Sequence, residues 1–133
     1  MADAVTTQKI HDGDRQAVFK FTNISDGTGE AAAVKIDVST LQAESRTNRP
    51  CTSVAISRIY YDLSGMSVDV LWDATVDALC LSLSSQGVFD FRDVGPLTNN
   101  AGAGVTGDVS FTTTGAALGD RYFVMLVVDK KYV

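Results

Sequence analysis

The clearest order in the chain is an alternation of apolar and polar residues between positions 54 and 91. In residues 67–73, Val68, Val70 and Trp72 alternate with Ser67, Asp69 and Asp73, and Leu71 is the single break. In residues 79–84, Leu79, Leu81 and Leu83 alternate with Cys80, Ser82 and Ser84; in 88–92, Phe89 and Phe91 oppose Val88, Asp90 and Arg92. Successive side chains of a strand point to opposite faces, so a period of two puts each apolar set on one side of a sheet, where a helix would scatter it. The short connections at 63–65 and 84–87, rich in Gly and Ser, predict hairpin turns. The stretch therefore predicts an antiparallel meander that carries most of the core.

The same pattern predicts strands at 15–22, with Phe19 and Phe21 inward, and at 32–39, 52–63, 108–113 and 121–130. Within 52–63, Ile59 and Tyr61 share a face with Leu63, while Tyr60 joins Val54 and Ile56 on the other. Within 121–130, Tyr122, Val124, Leu126 and Val128 line one face and Phe123, Met125 and Val127 the other. A strand that is apolar on both faces needs cover on both, from a loop, an N-terminal arm or another subunit. Residues 1–14 read as that arm, with a weak strand at 4–10, ahead of a single domain over 15–133. The glycine-rich stretch 93–107 predicts a loop crossing between sheets. Eight or nine short strands, with turn signals roughly every ten residues, predict an all-β fold: an antiparallel β-sandwich, jelly-roll-like.

Composition narrows the partners. At 133 residues the chain has the length of one domain and buries a core without metals or disulfides; 45% apolar and 20% charged residues fit a folded globular protein. The formal net charge of −5 argues against a phosphate-binding surface, and Lys130–Lys131 is the only adjacent basic pair, so no nucleic acid and no membrane is expected as a partner. No window approaches the apolar length of a membrane span, and residues 1–7 lack the order of a signal peptide, which leads us to expect synthesis and folding in a cytoplasm. In a reducing compartment Cys51 and Cys80 read as two buried thiols, although they can pair if their strands are neighbours. The sequon Asn23–Ile24–Ser25 has no bearing without secretion.

Candidate chemistry is sparse. His11 is the sole histidine and lies in the lead-in segment, which leaves nothing for a triad or a zinc site to be built on. Asp12–Gly13–Asp14 reads as a turn, and Asp26–Gly27–Thr28–Gly29 is not the Asp-Thr-Gly of an aspartic protease. Asp69 with Asp73 and Asp90 with Asp93 are paired carboxylates, read as polar-face residues that protect strand edges. Trp72, Tyr60 and Tyr61 are the aromatic residues for stacking on a sugar, with Trp72 in phase with the core residues Val68 and Val70. No catalytic residue, metal or cofactor is expected, and the chain reads as a non-enzyme.

Several strings, taken together, carry a resemblance: Asp26–Gly27–Thr28–Gly29–Glu30, Ile56–Ser57–Arg58–Ile59–Tyr60–Tyr61, Leu71–Trp72–Asp73–Ala74–Thr75, Phe89–Asp90–Phe91–Arg92–Asp93, and the run from Asn99 to Asp108. The combination resembles small virion structural proteins of tailed bacteriophages, and it is similar in size and all-β character to capsid cement or decoration proteins. The resemblance implies a structural protein, made in the host cytoplasm, that binds the major capsid protein on the outer capsid surface as a homo-dimer or homo-trimer and stabilises the DNA-filled head. The interface residues expected for that role are Ile10 in the arm and Phe123, Met125 and Val127 on the last strand. A tail- or fibre-associated module and a carbohydrate-binding β-sandwich are the alternatives.

Overall fold

The structure, a computed structural model, describes residues 4–132 except Thr28 and Ala116, and only the backbone of Ala4. Among the described residues it is all-β: seven strands, β1 (Ala4–Asp12), β2 (Gln16–Ile24), β3 (Ala33–Ile36), β4 (Cys51–Trp72), β5 (Ala78–Asp90), β6 (Val109–Thr114) and β7 (Arg121–Tyr132), with one short 3-10 turn at Val38–Thr40. Every pairing is antiparallel, in the order β1-β2-β7-β4-β6-β3, and β5 pairs with the other edge of β4. This is a jelly-roll-like β-sandwich, made by folding one hydrogen-bonded sheet across itself.

The fold line explains why there are fewer strands than the eight or nine expected. The segments at 63–65 and 84–87 are bends inside long strands and not hairpin turns. β4 pairs with β7 up to Ser64 and with β6 from Ser67, so one 22-residue strand serves both layers. Gly65 sits at the bend with φ +83°, and a Cβ there would lie 2.3 Å from Asp120 Oδ1, so only glycine fits. β5 bends beside it, where Ser85 takes φ +63°. The front layer is thus β1-β2-β7, the first part of β4 and the last residues of β5; the back layer is β3-β6, the end of β4 and the start of β5. The loop at 91–108 crosses from front to back, as expected, and Leu97 exchanges two 2.9 Å backbone hydrogen bonds with Ile56 on the way.

Inward residues of both layers interlock. Phe19, Phe21, Ile59, Tyr122, Val124, Leu126 and Val128 from the front meet Ile36, Val68, Val70, Trp72, Leu83, Val109 and Phe111 from the back, all buried. Phe21 and Tyr122 each meet the Phe111 ring edge-on, at 5.3 and 5.9 Å between centroids, a favoured aromatic geometry.

Three bulges move residues off the faces that simple alternation assigns. Between Val34 and Ile36 the register on β6 shifts, so Lys35 is extra and Val34 is 51% exposed while Ile36 is buried. Between Ile56 and Arg58 the register on β7 shifts, so Ser57 is extra and Ile56 faces inward together with Ile59. Between Val70 and Leu71 the register on β5 shifts, so Cys80 turns toward the core and Leu79, opposite Leu71, is 57% exposed and leaves the company of Leu81 and Leu83. Burial pushes the Cys80 thiol up to about 12 and also raises Cys51; both cysteines are free.

The segment expected as an arm lies along β2 as the edge strand β1. Its turn is fastened by Lys130, whose fully buried ammonium donates to Asp12 Oδ1 (2.6 Å), Gln42 O (2.7 Å) and Gly13 O (2.8 Å). Burial, the largest single influence, opposes charge on Lys130, but the hydrogen bonds and charge of Asp12 and Tyr132 together outweigh it and hold its pKa above the ordinary value. Burial likewise pushes Asp12 up, and the bonds from Lys130 and the Gln42 amide hold its carboxyl below the ordinary range.

Candidate functional site

The outward face of the front layer is ordered by register. Antiparallel pairing sets residues on adjacent strands side by side, and those two apart share a face. One row across the layer reads Thr6, Thr22, Phe123, Asp62, Gln86. The next reads Gln8, Lys20, Met125, Tyr60, Val88, and the third His11, Val18, Val127, Arg58, Asp90. With strands ~4.8 Å apart and same-face residues ~6.8 Å apart, the platform spans roughly 19 by 14 Å.

Its centre column is Phe123, Met125 and Val127, the residues expected at an interface, and the structure brings them together facing away from the second layer. Phe123 and Met125 are half-buried; Val127, between Val18 and Arg58, is 3% exposed. Ile10 is apart from them: it sits at the β1 bulge on the sheet edge and is 49% exposed.

Groups capable of hydrogen bonding flank this column. The Arg58 guanidinium lies 5.8 Å from the Tyr60 ring centroid and donates to its hydroxyl (3.0 Å), while Arg58 Nε is buried without a partner in the structure. At the bend end of the platform, Thr6, Thr22, Asp62, Ser64, Arg121 and Phe123 line an open depression of about 440 Å³. Among the described residues neither Asp62 nor Arg121 has an ion-pair partner, whereas Asp90 at the opposite corner is held down to about 2 by its hydrogen bonds from Arg92. An aromatic floor with an acid, a guanidinium and hydroxyls around an open depression can stack on the apolar face of a ring and bond its edge.

The other sequence candidates are dispersed. Trp72 is 1% exposed in the core and has no face to offer a ligand. Tyr60 is on the platform, but Tyr61 turns inward and stands 5.5 Å from the Phe89 ring, which stacks on Phe91 at 6.0 Å along the β5 edge. Asp69 accepts from Ser82 (2.7 Å) and Asp73 from Thr106 (2.7 Å), each engaged locally. His11 is exposed on β1. Thr28, in the Asp-Gly-Thr-Gly run, lies outside the described residues. Lys20, Thr22, Asp62 and Arg121 were not singled out in the sequence; alternation places Lys20 and Thr22 opposite Phe19 and Phe21, but only register joins them to Phe123.

No family model and no curated protein matches the chain. Among solved structures it is similar to a point mutant of a family 29 carbohydrate-binding module (TM-score 0.50, 11% identity, 95% of this chain and 91% of that one). A second mutant of the same module, complexed with mannohexaose, gives TM-score 0.50 and 11% identity over 98% of this chain and 93% of that one. At such identity the likeness concerns the fold, a β-sandwich shared with carbohydrate-binding modules.

Proposed function

We propose that this chain is a non-catalytic binding module and that the front-layer platform takes an extended carbohydrate chain lying across the strands. The observation that carries the reading is the platform itself: an in-register centre column, Phe123–Met125–Val127, bordered by hydrogen-bonding groups and opening into the depression between Thr22, Asp62 and Arg121. An aromatic or apolar floor accepts the C–H face of a sugar ring, and side chains at its rim exchange their water for sugar hydroxyls. The orphan Arg58 Nε is a further donor awaiting an acceptor, since a buried donor left unpaired is costly. The carbohydrate-binding modules that share the fold support this reading. An open, wet site of this kind binds with micromolar to millimolar Kd, roughly −8 to −4 kcal/mol.

Titration calorimetry with mannohexaose and a panel of other soluble oligosaccharides tests it. Binding of at least one of them by the wild type, lost in Phe123→Ala at unchanged melting temperature, is the expected result; no heat with any oligosaccharide at millimolar concentration would overturn it.

A second reading follows from the same centre column. An apolar strip in the middle of a flat sheet also suits a subunit contact, and the resemblance to phage decoration proteins supports a homo-oligomer seated on a capsid lattice of the major capsid protein. Light scattering separates the two: a dimer or trimer that dissociates on Met125→Lys favours the virion role, and a monomer that binds glycan favours the module.

A further inference from the structure

A second constellation lies at the bend end of the sandwich, on the inward side of β2 and β7, where Asn23 and Tyr122 also border the depression at the end of the platform. Glu30, in the connection between β2 and β3, has a side chain only 9% exposed and lies between two potential reactants. Its Oε2 accepts from the Lys35 ammonium, 4% exposed, and its Oε1 accepts from Asn23 Nδ2 at 3.0 Å. Tyr122 Oη also donates to Oε1, at 2.6 Å. Lys35 Nζ stands 5.9 Å and 6.0 Å from the centroids of the Phe111 and Tyr122 rings, so aromatic surface walls the site. Asn23 is 1% exposed.

An amine, a carboxamide and a carboxylate touching both, shut away from water, are the components of amide transfer. The Lys35 ammonium is hydrogen-bonded to Glu30 Oε2, so a proton can pass directly from Nζ to the carboxylate and free the amine as a nucleophile. The shared carboxylate holds the two reactants together, so the reaction proceeds within one molecule at high effective concentration.

We infer that Lys35 and Asn23 become joined by a side-chain amide bond, with Glu30 as the acid–base catalyst. Lys35 gives a proton to Glu30, and the nitrogen lone pair forms a bond to Asn23 Cγ. The further proton of the new nitrogen passes to the departing Nδ2, Glu30 returns to Nδ2 the proton it took, and the Cγ–Nδ2 bond breaks to release an ammonium ion. One ammonium and one primary amide become one secondary amide and one ammonium ion; no oxidant or reductant takes part. The product fastens β2 of the front layer to β3 of the back layer, a covalent strut at the end of the sandwich opposite the Lys130 fastener.

Intact-mass spectrometry of the purified wild-type chain tests this directly, followed by tryptic mapping. The expected mass is the sequence mass less one ammonia, and the peptide from Phe21 to Arg46 should be recovered whole, because an acylated Lys35 resists trypsin. Glu30→Gln, with folding verified by circular dichroism, should restore the full mass and cleavage after Lys35; Lys35→Arg should give the full mass as well. A wild-type chain at full sequence mass after prolonged warm incubation would overturn the inference. So would an ammonia loss with Lys35 still cleaved, which would place the loss in a succinimide at an asparagine.

Discussion

The two faces of β7 have nearly the same hydrophobicity and opposite fates. Tyr122, Val124, Leu126 and Val128 enter the core, each at 2% exposure or less, while Phe123 and Met125 look outward half-exposed and Val127, on their face between Val18 and Arg58, is 3% exposed. The difference lies in what stands beside them. The inward set meets Phe21, Ile59 and, across the interface, Phe111; the outward set has Thr22, Lys20, Asp62, Tyr60 and Arg58 as its neighbours in register. An apolar residue among apolar neighbours stabilises the fold, and the same residue set among hydrogen-bonding groups forms a recognition surface. The two faces should therefore respond in opposite ways to the same kind of change.

The largest stability effect is expected at the inner end of this contrast. Trp72→Ala should cost about 3–5 kcal/mol and Leu126→Ala about 2–5 kcal/mol, seen as lower urea midpoints at unchanged m-value. Trp72→Ala sharpens the assignment further, since it should act by unfolding the domain; a folded variant that had merely lost ligand binding would put Trp72 on a surface.

Acid is expected to act next, through the edge of the platform. The Lys130 fastener holds the β1–β2 turn through Asp12, whose folded pKa lies below its ordinary 3.8. A lowered carboxyl pKa means that the stabilisation is fully present above the unfolded value and is lost as pH falls through the folded one. Unfolding free energy should thus fall below about pH 4, and Asp12→Asn should flatten that dependence, as read by urea titrations across the acid range. Lys130 gives the opposite sign: its raised pKa keeps its contribution intact below its unfolded value, to be lost only as pH rises through the folded one.

The smallest stability effect is expected on the outward face. Phe123→Ala should change unfolding free energy by less than ~1 kcal/mol, because half-exposed surface positions contribute little. The same change should weaken ligand binding at least tenfold, ~1.4 kcal/mol. A large stability loss without a binding effect would assign Phe123 to the core and break the contrast.

Legibility in the sequence follows the range of the interactions involved. The alternation of Phe19 with Phe21, of Val68 with Val70 and Trp72, and of the two sets on β7 is local, and it was enough for the all-β sandwich and for Phe123, Met125 and Val127 as an outward set. The bulges at Ser57 and Cys80 add one residue each without any sequence mark, so the face of Ile56 and the exposure of Leu79 were misread. Gly65 and Ser85 look like turn residues and form bends, since Asp120 and the paired strands, distant in sequence, decide between the two. The platform's rows need the register of β2 on β7, about 100 residues apart, and of β7 on β4, about 70 apart, and no local pattern reports them. Glu30 and its partners escaped notice for the same reason: Tyr122 and Phe111 complete the cluster from the far end of the chain.

The most direct test of the central claim is a pairwise titration of soluble oligosaccharides into the wild type and Phe123→Ala under identical conditions. Saturable binding with negative heat-capacity change is expected in the wild type, and none in a variant that melts at the wild-type temperature. Binding undiminished in Phe123→Ala, or absent from the wild type altogether, would contradict a carbohydrate platform on the outward face of β7.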